Sequence, residues 1–245
     1  LRASEVDPIS RGGRGMNVRR FFTGMAADER VVRIVVPPTD AAPDACLVLA
    51  TAAGKIKRTS LAEYGKITAG GLRTLNLAEG DRVVGAFIAG EAAEVIMTSS
   101  DGYSVRFPIG EVSIQGRVAG GVVGMKLAAK ATVVAADPVA PKDGRDYLVV
   151  SSVGRGKRTK LADYPTKGRA TRGVTTQMLG TASLAFAGPV GEGDTVLLLS
   201  SSGKAVAMEA AEIRRAGRAT AGVACVALAA GESVSEIGRA PRLNS

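Results

Sequence analysis

Lysine and arginine return along this chain in two fixed settings, and the chemistry open to them there is neutralisation of phosphate. The first setting is the stretch after a recurring glycine: Lys55, Lys57 and Arg58; Arg106; Arg155, Lys157, Arg158 and Lys160; Lys204. The second is the loop before a recurring Gly-aliphatic pair: Arg11 and Arg14, with Arg19 and Arg20 just beyond; Lys66, with Arg73 directly after the pair; Arg117; Lys167, Arg169 and Arg172; Arg214, Arg215 and Arg218. The segment Gly154–Val174 alone holds seven of these cations, interleaved with Gly and Thr, which bring backbone and hydroxyl donors close to phosphates. A charged sheet edge that merely discourages strand-on-strand association needs no such fixed register. Single-strand and RNA modules offer aromatic stacking platforms. The four Tyr and five Phe here do not interleave with the charges, so duplex DNA held by its backbone fits best.

Other chemistries are poorly supplied. The chain has no His, which removes the commonest general base and zinc ligand. Cys46 and Cys225 each sit in an apolar run and read as small buried hydrophobes rather than a disulfide or metal pair. No G-x-x-x-x-G-K-[ST] loop is present, and the glycine clusters at 11–15 and 118–124 fall at the repeat's own turn position. Glu63, Glu111, Asp163 and Glu212 occupy one equivalent slot per repeat, which suits hydrogen bonding or pairing with a basic neighbour better than a catalytic dyad. No catalytic residue, metal or cofactor is expected in this chain, and an independent enzymatic activity ranks last among the readings.

The elements that position the cations come from an internal repeat. A glycine after an apolar run recurs at 54, 102, 154 and 203, in steps of 48, 52 and 49. A second, followed by an aliphatic residue, recurs at 71, 121, 173 and 222, in steps of 50, 52 and 49. Two independent markers with one period mean an array of a single module. Within each unit an apolar strand (47–51, 95–98, 147–151, 196–200) turns at the first glycine into a basic strand (55–59, 105–107, 157–159). About four short strands per unit is the size of a propeller blade. Frequent Gly and Pro argue against long helices, so Leu61–Lys66 and Ala207–Ala216 read as short turns. The fold class is all-β: a partial blade over 1–36 and blades at about 46–90, 94–141, 147–191 and 194–240, with surface loops at Pro37–Ala45 and Pro138–Asp146. Aromatics are only 4% and Trp is absent, so the core must be Val, Leu, Ile and Ala. The net charge of +9 suits a polyanion partner. No secretory leader is visible and no apolar run approaches ~18 residues, so a membrane span is not expected. The opening Leu-Arg-Ala-Ser reads as a piece of something longer.

Three segments resemble a known family: Ala53–Tyr64 with Asn76–Val84, Arg106–Leu127, and above all Tyr164–Val174 (Y-P-T-K-G-R-A-T-R-G-V). The pattern G-x-x-K-R-T-x-L-x-[ED]-Y followed by a basic Gly loop is similar to the C-terminal domain of the DNA gyrase A subunit. The tail of the topoisomerase IV A subunit is its close relative. The resemblance implies a β-pinwheel of four-stranded blades pinned by exchanged strands, with double-stranded DNA wrapped around the basic rim. It implies as partners the remainder of the gyrase A protein and the ATPase B protein, which would hold any ATP and Mg, in a bacterial, nucleoid-associated, cytoplasmic setting. None of Tyr64, Tyr103, Tyr147 or Tyr164 inherits the family's catalytic tyrosine. Ile9–Gly15 (I-S-R-G-G-R-G) matches five of the seven positions of the family's first-blade box, yet the surrounding sequence aligns with a second blade. The pinwheel commonly has six blades. Support of supercoiling, a topoisomerase IV-like selection of DNA crossings, and a propeller-type protein-interaction scaffold all remain open on the sequence.

Overall fold

The structure, a computed structural model, describes residues 7–10, 13–22, 25–26, 29–39, 41–65 and 71–240. Each apolar run becomes a strand that turns at its glycine into an antiparallel partner. These hairpins are β1 (Cys46–Thr51) with β2 (Lys55–Ser60), β4 (Glu94–Ser99) with β5 (Tyr103–Pro108), β8 (Asp146–Ser151) with β9 (Arg155–Lys160), and β12 (Thr195–Ser200) with β13 (Ala205–Glu209). A third strand, β3 (Val83–Ala89), β7 (Val133–Val139), β11 (Leu184–Val190) or β15 (Val234–Ala240), pairs on the far side of the apolar one. The Gly-aliphatic pairs give β6 (Val122–Val123), β10 (Val174–Thr175) and β14 (Val223–Ala224), and each leaves its own unit: β6 joins β2, β10 joins β5, β14 joins β9. The blades are therefore β3-β1-β2-β6, β7-β4-β5-β10, β11-β8-β9-β14 and β15-β12-β13. Three blades borrow their outermost strand from the next; the fourth has three strands among the described residues.

The turn glycine answers to two constraints at once. Gly54 has φ +82°, where a Cβ is strained, and its N–H closes the turn on the Thr51 carbonyl at 3.0 Å. A Cβ there would also stand 2.5 Å from the Met125 carbonyl of the following blade. The repeat marker visible in the sequence is thus a point where successive blades touch.

Strands β3, β7, β11 and β15 lie against one another in succession and form the inner wall, while β2, β5 and β9 with their borrowed strands form the outer side. Charge follows this order: V-V-G-A-F-I-A and L-A-F-A-G-P-V inside, K-I-K-R-T-S and R-G-K-R-T-K outside. Pro138 and Pro189 lie within β7 and β11, inner edge strands where a missing N–H breaks no ladder on the open side. The polar insertion expected over Pro138–Asp146 is shorter than that: Pro138 and Val139 finish β7, Asp146 begins β8, and only the intervening residues form the loop.

The core lies between blades. Val48, Ile56 and Phe87 of blade 1 meet Val95, Val105, Phe107 and Ile109 of blade 2. Ile96 and Val139 meet Tyr147, Val149 and Leu161 of blade 3. Leu148, Val150 and Val190 meet Val196, Leu198 and Ile213 of blade 4. Strands β4 and β8 are buried along their whole length because both faces are covered. Strand β12 is buried only at alternate residues, and Leu197 is 48% exposed. After each outer strand the expected short turn is a single 3-10 turn: Leu61–Tyr64, Ile109–Glu111, Leu161–Asp163 and Ala210–Glu212. Of the partial unit expected over 1–36, the described residues form one 3-10 turn, Val18–Arg20, and no strand. Cys46 is buried in β1 and Cys225 half-buried against blade 4; both thiols are free, and burial pushes both up.

Candidate nucleic-acid interface

The Lys-Arg pair that gives the repeat its basic look is buried. Lys57, Arg58, Arg106, Lys157 and Arg158 are all 6% exposed or less, which corrects the expectation that they face a ligand. The cause is the exchanged strand. Once β6, β10 or β14 is laid along the outer strand, the loop leading to it covers the side chains behind. Each arginine then enters the 3-10 turn of the following blade. Arg106 donates to the Leu161 carbonyl at 2.8 Å and, on its own blade, to the Ala140 carbonyl at 3.0 Å and Glu94 at 2.6 Å. Arg158 donates to the Ile213 and Ala211 carbonyls at 2.8 and 2.9 Å and to Asp146 at 2.8 Å. Arg58 reaches the Val112 carbonyl and Glu91. A buried charge survives only with its hydrogen-bonding capacity filled, and the turn carbonyls fill it. The lysines do the same for the basic loops: Lys57 donates to Thr74 and Arg117 carbonyls, Lys157 to Gly217 and Arg218 carbonyls and to Thr220 Oγ1. Blade 2 has Val105 in the lysine position. Blade 4 has Val206 and Ala207 in place of both.

Burial, then the nearby Arg218, pushes Lys157 down to about 8. The sign of the linked stability follows. Between about pH 8 and the ordinary lysine value of 10.5 the unfolded chain holds this proton more tightly, so stability rises with pH across that window. Wild type is therefore expected to gain on Lys157→Met between pH 8 and 10.5, by on the order of 2–3 kcal/mol at most. Urea unfolding of both proteins at the two ends checks this; a constant gap between them would contradict it.

The cations left for solvent are a different set. Arg14, Arg19, Arg20, Arg73, Arg155, Lys160, Lys167, Arg172, Lys204, Arg214 and Arg215 are exposed, while Lys55, Arg117, Arg169 and Arg218 are half-buried. Arg11 and Lys66 lie outside the described residues. Three of the loops sit on junctions between blades, since each lies along the preceding outer strand through a parallel bridge: Arg58 with Ile114, Arg106 with Thr166, Arg158 with Arg215. Topology thus gathers Lys160, Lys167, Arg172 and Arg214 on the outer side of the second and third junctions. Some loop cations have internal work. Arg215 pairs with Asp146 and Glu192 at 2.9 and 3.0 Å, and Arg169 donates to the Glu111 and Val123 carbonyls at 3.0 and 2.9 Å. The equivalent acidic slot behaves as its repetition suggests at two junctions: Glu63 pairs with Arg117 at 3.7 Å, and Glu111 accepts from the Arg169 N–H at 2.9 Å. Lys126 and Lys130, exposed beyond β6, escape a reading by repeats because they have no counterpart in the other units.

Among the described residues no three His, Cys, Asp or Glu side chains stand close enough to hold a metal ion. The buried tyrosines are spent structurally. Tyr147 and Tyr164 meet edge to face at 5.3 Å, Tyr147 bonds Thr98, and Thr176 donates to Tyr164. Burial raises both hydroxyls, Tyr164 to about 12, which suits packing and not nucleophilic attack. An inner-wall cavity of about 280 Å³ holds Asp137, raised to about 6 by burial despite Arg33, Arg239 and Arg145 nearby. An open rim groove of about 750 Å³ runs past Tyr103, Asp163, Val174 and Arg218.

Comparison with known proteins agrees with this architecture. The sequence model described as "DNA gyrase C-terminal domain, beta-propeller" matches residues 1–38, 47–89, 93–140, 145–185 and 194–240. The DNA gyrase A subunit of Klebsiella oxytoca is 32% identical over 241 residues, 98% of this chain and 27% of that protein. Its Mycobacterium leprae counterpart is 31% identical over 243 residues, 97% of this chain and 19% of that protein. The chain therefore spans about a quarter or less of the length of these relatives. Among solved structures, a DNA gyrase A C-terminal domain aligns with TM-score 0.71 and 28% identity, covering 82% of this chain and 68% of that one. A topoisomerase IV C-terminal domain aligns with TM-score 0.85, covering 93% and 71%, and at 23% identity speaks for the fold. With the family's repeats matched along almost its whole length, the chain belongs to the DNA gyrase C-terminal domain family.

Proposed function

We propose that this domain binds duplex DNA along its outer rim without sequence readout and bends it, as the wrapping domain of a gyrase-type topoisomerase. The observation that carries the reading is the division of the cations. The buried lysines and arginines lock each blade to the next, and a second, solvent-facing set crosses successive junctions on the outer side. A duplex following that side touches one loop after another, so its phosphates are met in series. Bending it costs several kcal/mol by smooth elastic estimates, on the order of 1–6 for a site of 20–30 base pairs, and the serial contacts must offset that. Chain crossing, strand passage and ATP hydrolysis would belong to the remainder of the gyrase A protein and to its ATPase B partner, in a bacterial cytoplasm. Among the described residues no helix is long and apolar enough to cross a membrane.

The test is a titration of a short and a wrap-length duplex at several salt concentrations. Affinity for either should fall with salt at a slope of about −0.9 per phosphate neutralised, and the long duplex should show the steeper slope. Equal slopes for the two would remove the wrap and leave a local contact. Salt-insensitive or undetectable binding would remove DNA and favour an acidic protein on the same rim.

A further inference from the structure

One rim cation is held by a carboxylate from the neighbouring blade, and its place in the repeat says what that carboxylate stands for. The residue after the turn glycine is Lys55 in blade 1, Arg155 in blade 3 and Lys204 in blade 4, but Tyr103 in blade 2. Blade 2 recovers the missing charge from the loop of blade 3. The Arg172 guanidinium lies over the Tyr103 ring, 3.8 Å from its centroid, beside the position where the other blades carry their own cation. Ring stacking orients a guanidinium without neutralising it. The exchange is specific to this junction, since the residues equivalent to Arg172 at the first and third junctions are Gly120 and Ala221. The residue before the turn glycine changes in step. It is Ala53, Val153 or Ser202 in the other blades, and Asp101 in blade 2.

Asp101 and Arg172 pair across the junction at 2.9 Å, with the arginine side chain 50% exposed and the aspartate 27%. Ser99 donates to the other Asp101 oxygen at 2.5 Å and fixes the carboxylate in its turn. The arginine therefore presents an open flank to solvent while one of its N–H groups is held by an oxyanion. A carboxylate and a phosphate offer a guanidinium the same geometry.

We propose that Asp101 is an internal stand-in for a DNA phosphate, holding Arg172 in place on Tyr103 in the unbound domain and giving it up to the duplex backbone on binding. The proposal rests on the wrapping reading and assigns one of its contacts. It makes junction 2–3 a point on the rim where engagement exchanges an intramolecular ion pair for a phosphate, so binding there is weaker than the local cation density suggests. Arg172 is ready-oriented for it.

The experiment is a double-substitution cycle on the whole chain, read by binding of a wrap-length duplex at low salt, with unfolding curves as the control for folding. Asp101→Asn should tighten binding roughly threefold, the size expected when an exposed ion pair no longer competes. Arg172→Gln should weaken binding and lower the salt slope by about 0.9. In the Arg172→Gln background, Asp101→Asn should do nothing. Asp101→Ser serves as a second removal of the charge if the asparagine disturbs the turn. Equal tightening with and without Arg172 would overturn the proposal, because it would report net charge alone. No tightening in either background would overturn it too. In both cases wild-type binding would leave the wrapping reading intact, whereas wild type that binds no duplex overturns both.

Discussion

Arg106→Met is expected to lower the stability of the domain by about 3–5 kcal/mol, the usual result of removing one partner from a buried ion pair. Arg106 is 4% exposed and Glu94 11% at the side chain, and they pair at 2.6 Å. Removing the guanidinium leaves that carboxylate buried without its counter-charge, with the Thr166 hydroxyl still donating to it at 3.0 Å, and strips a donor from the Leu161, Ala140 and Pro141 carbonyls. Met fills similar volume, so the loss is of charge and donors more than of packing. For a chain of this size the midpoint should fall by roughly 10 °C. The position makes the effect directional. Blade 2 has Val105 where blades 1 and 3 have a buried lysine, so Arg106 is the only member of the Lys-Arg pair at that junction. In an array whose units touch nearest neighbours, weakening one junction should split the unfolding transition into two. Adding Glu94→Gln should recover part of the loss. A single transition displaced by less than ~2 °C would contradict the role given to Arg106.

The parts of this architecture legible in the sequence are those set by local rules. Apolar runs bounded by glycine give the hairpins to within a residue or two: 47–51 is expected where β1 is Cys46–Thr51, and 95–98 where β4 is Glu94–Ser99. The steps near 50 residues give the blades because a turn glycine that also touches the next blade must recur in register. The side of the outer strand is harder to read. Lys55 and Lys57 are two residues apart and share a face by strand periodicity, yet Lys55 is half-buried and Lys57 is covered. What covers Lys57 is a loop some sixty residues further on, whose Arg117 carbonyl it reaches. Alternation within one strand cannot report that. A comparison between repeats does carry the signal. Lys-Arg, Val-Arg and Lys-Arg stand at the three junctions, and Val206-Ala207 stands in blade 4, whose β13 has no borrowed strand among the described residues. A pair that follows the presence of a neighbouring blade is recognisable as a joint. A cation required only for a ligand would have no reason to disappear there.

Replacing Lys160, Lys167 and Arg214 together with alanine is expected to weaken duplex binding by roughly a hundredfold or more near 0.1 M salt and to lower the salt slope by about 2.7. All three are exposed, and they flank the second and third junctions on the outer side. Neither a buried ion pair nor a core contact is lost, so the unfolding midpoint should stay within a few degrees of wild type. The loss should be the same for unrelated sequences, because phosphate contacts fix position without reading bases. It should also be larger for a wrap-length duplex than for a short one, since the bend is offset only while contacts continue along the rim. The contrast with Arg106→Met is what makes this variant informative. One substitution removes a charge that joins blades and should move the melting curve; the other removes three charges and should move the binding curve alone. If the rim variant melted early, or if it bound duplex as wild type does, the division between joining and binding cations would fail, and with it the physical basis for a wrap.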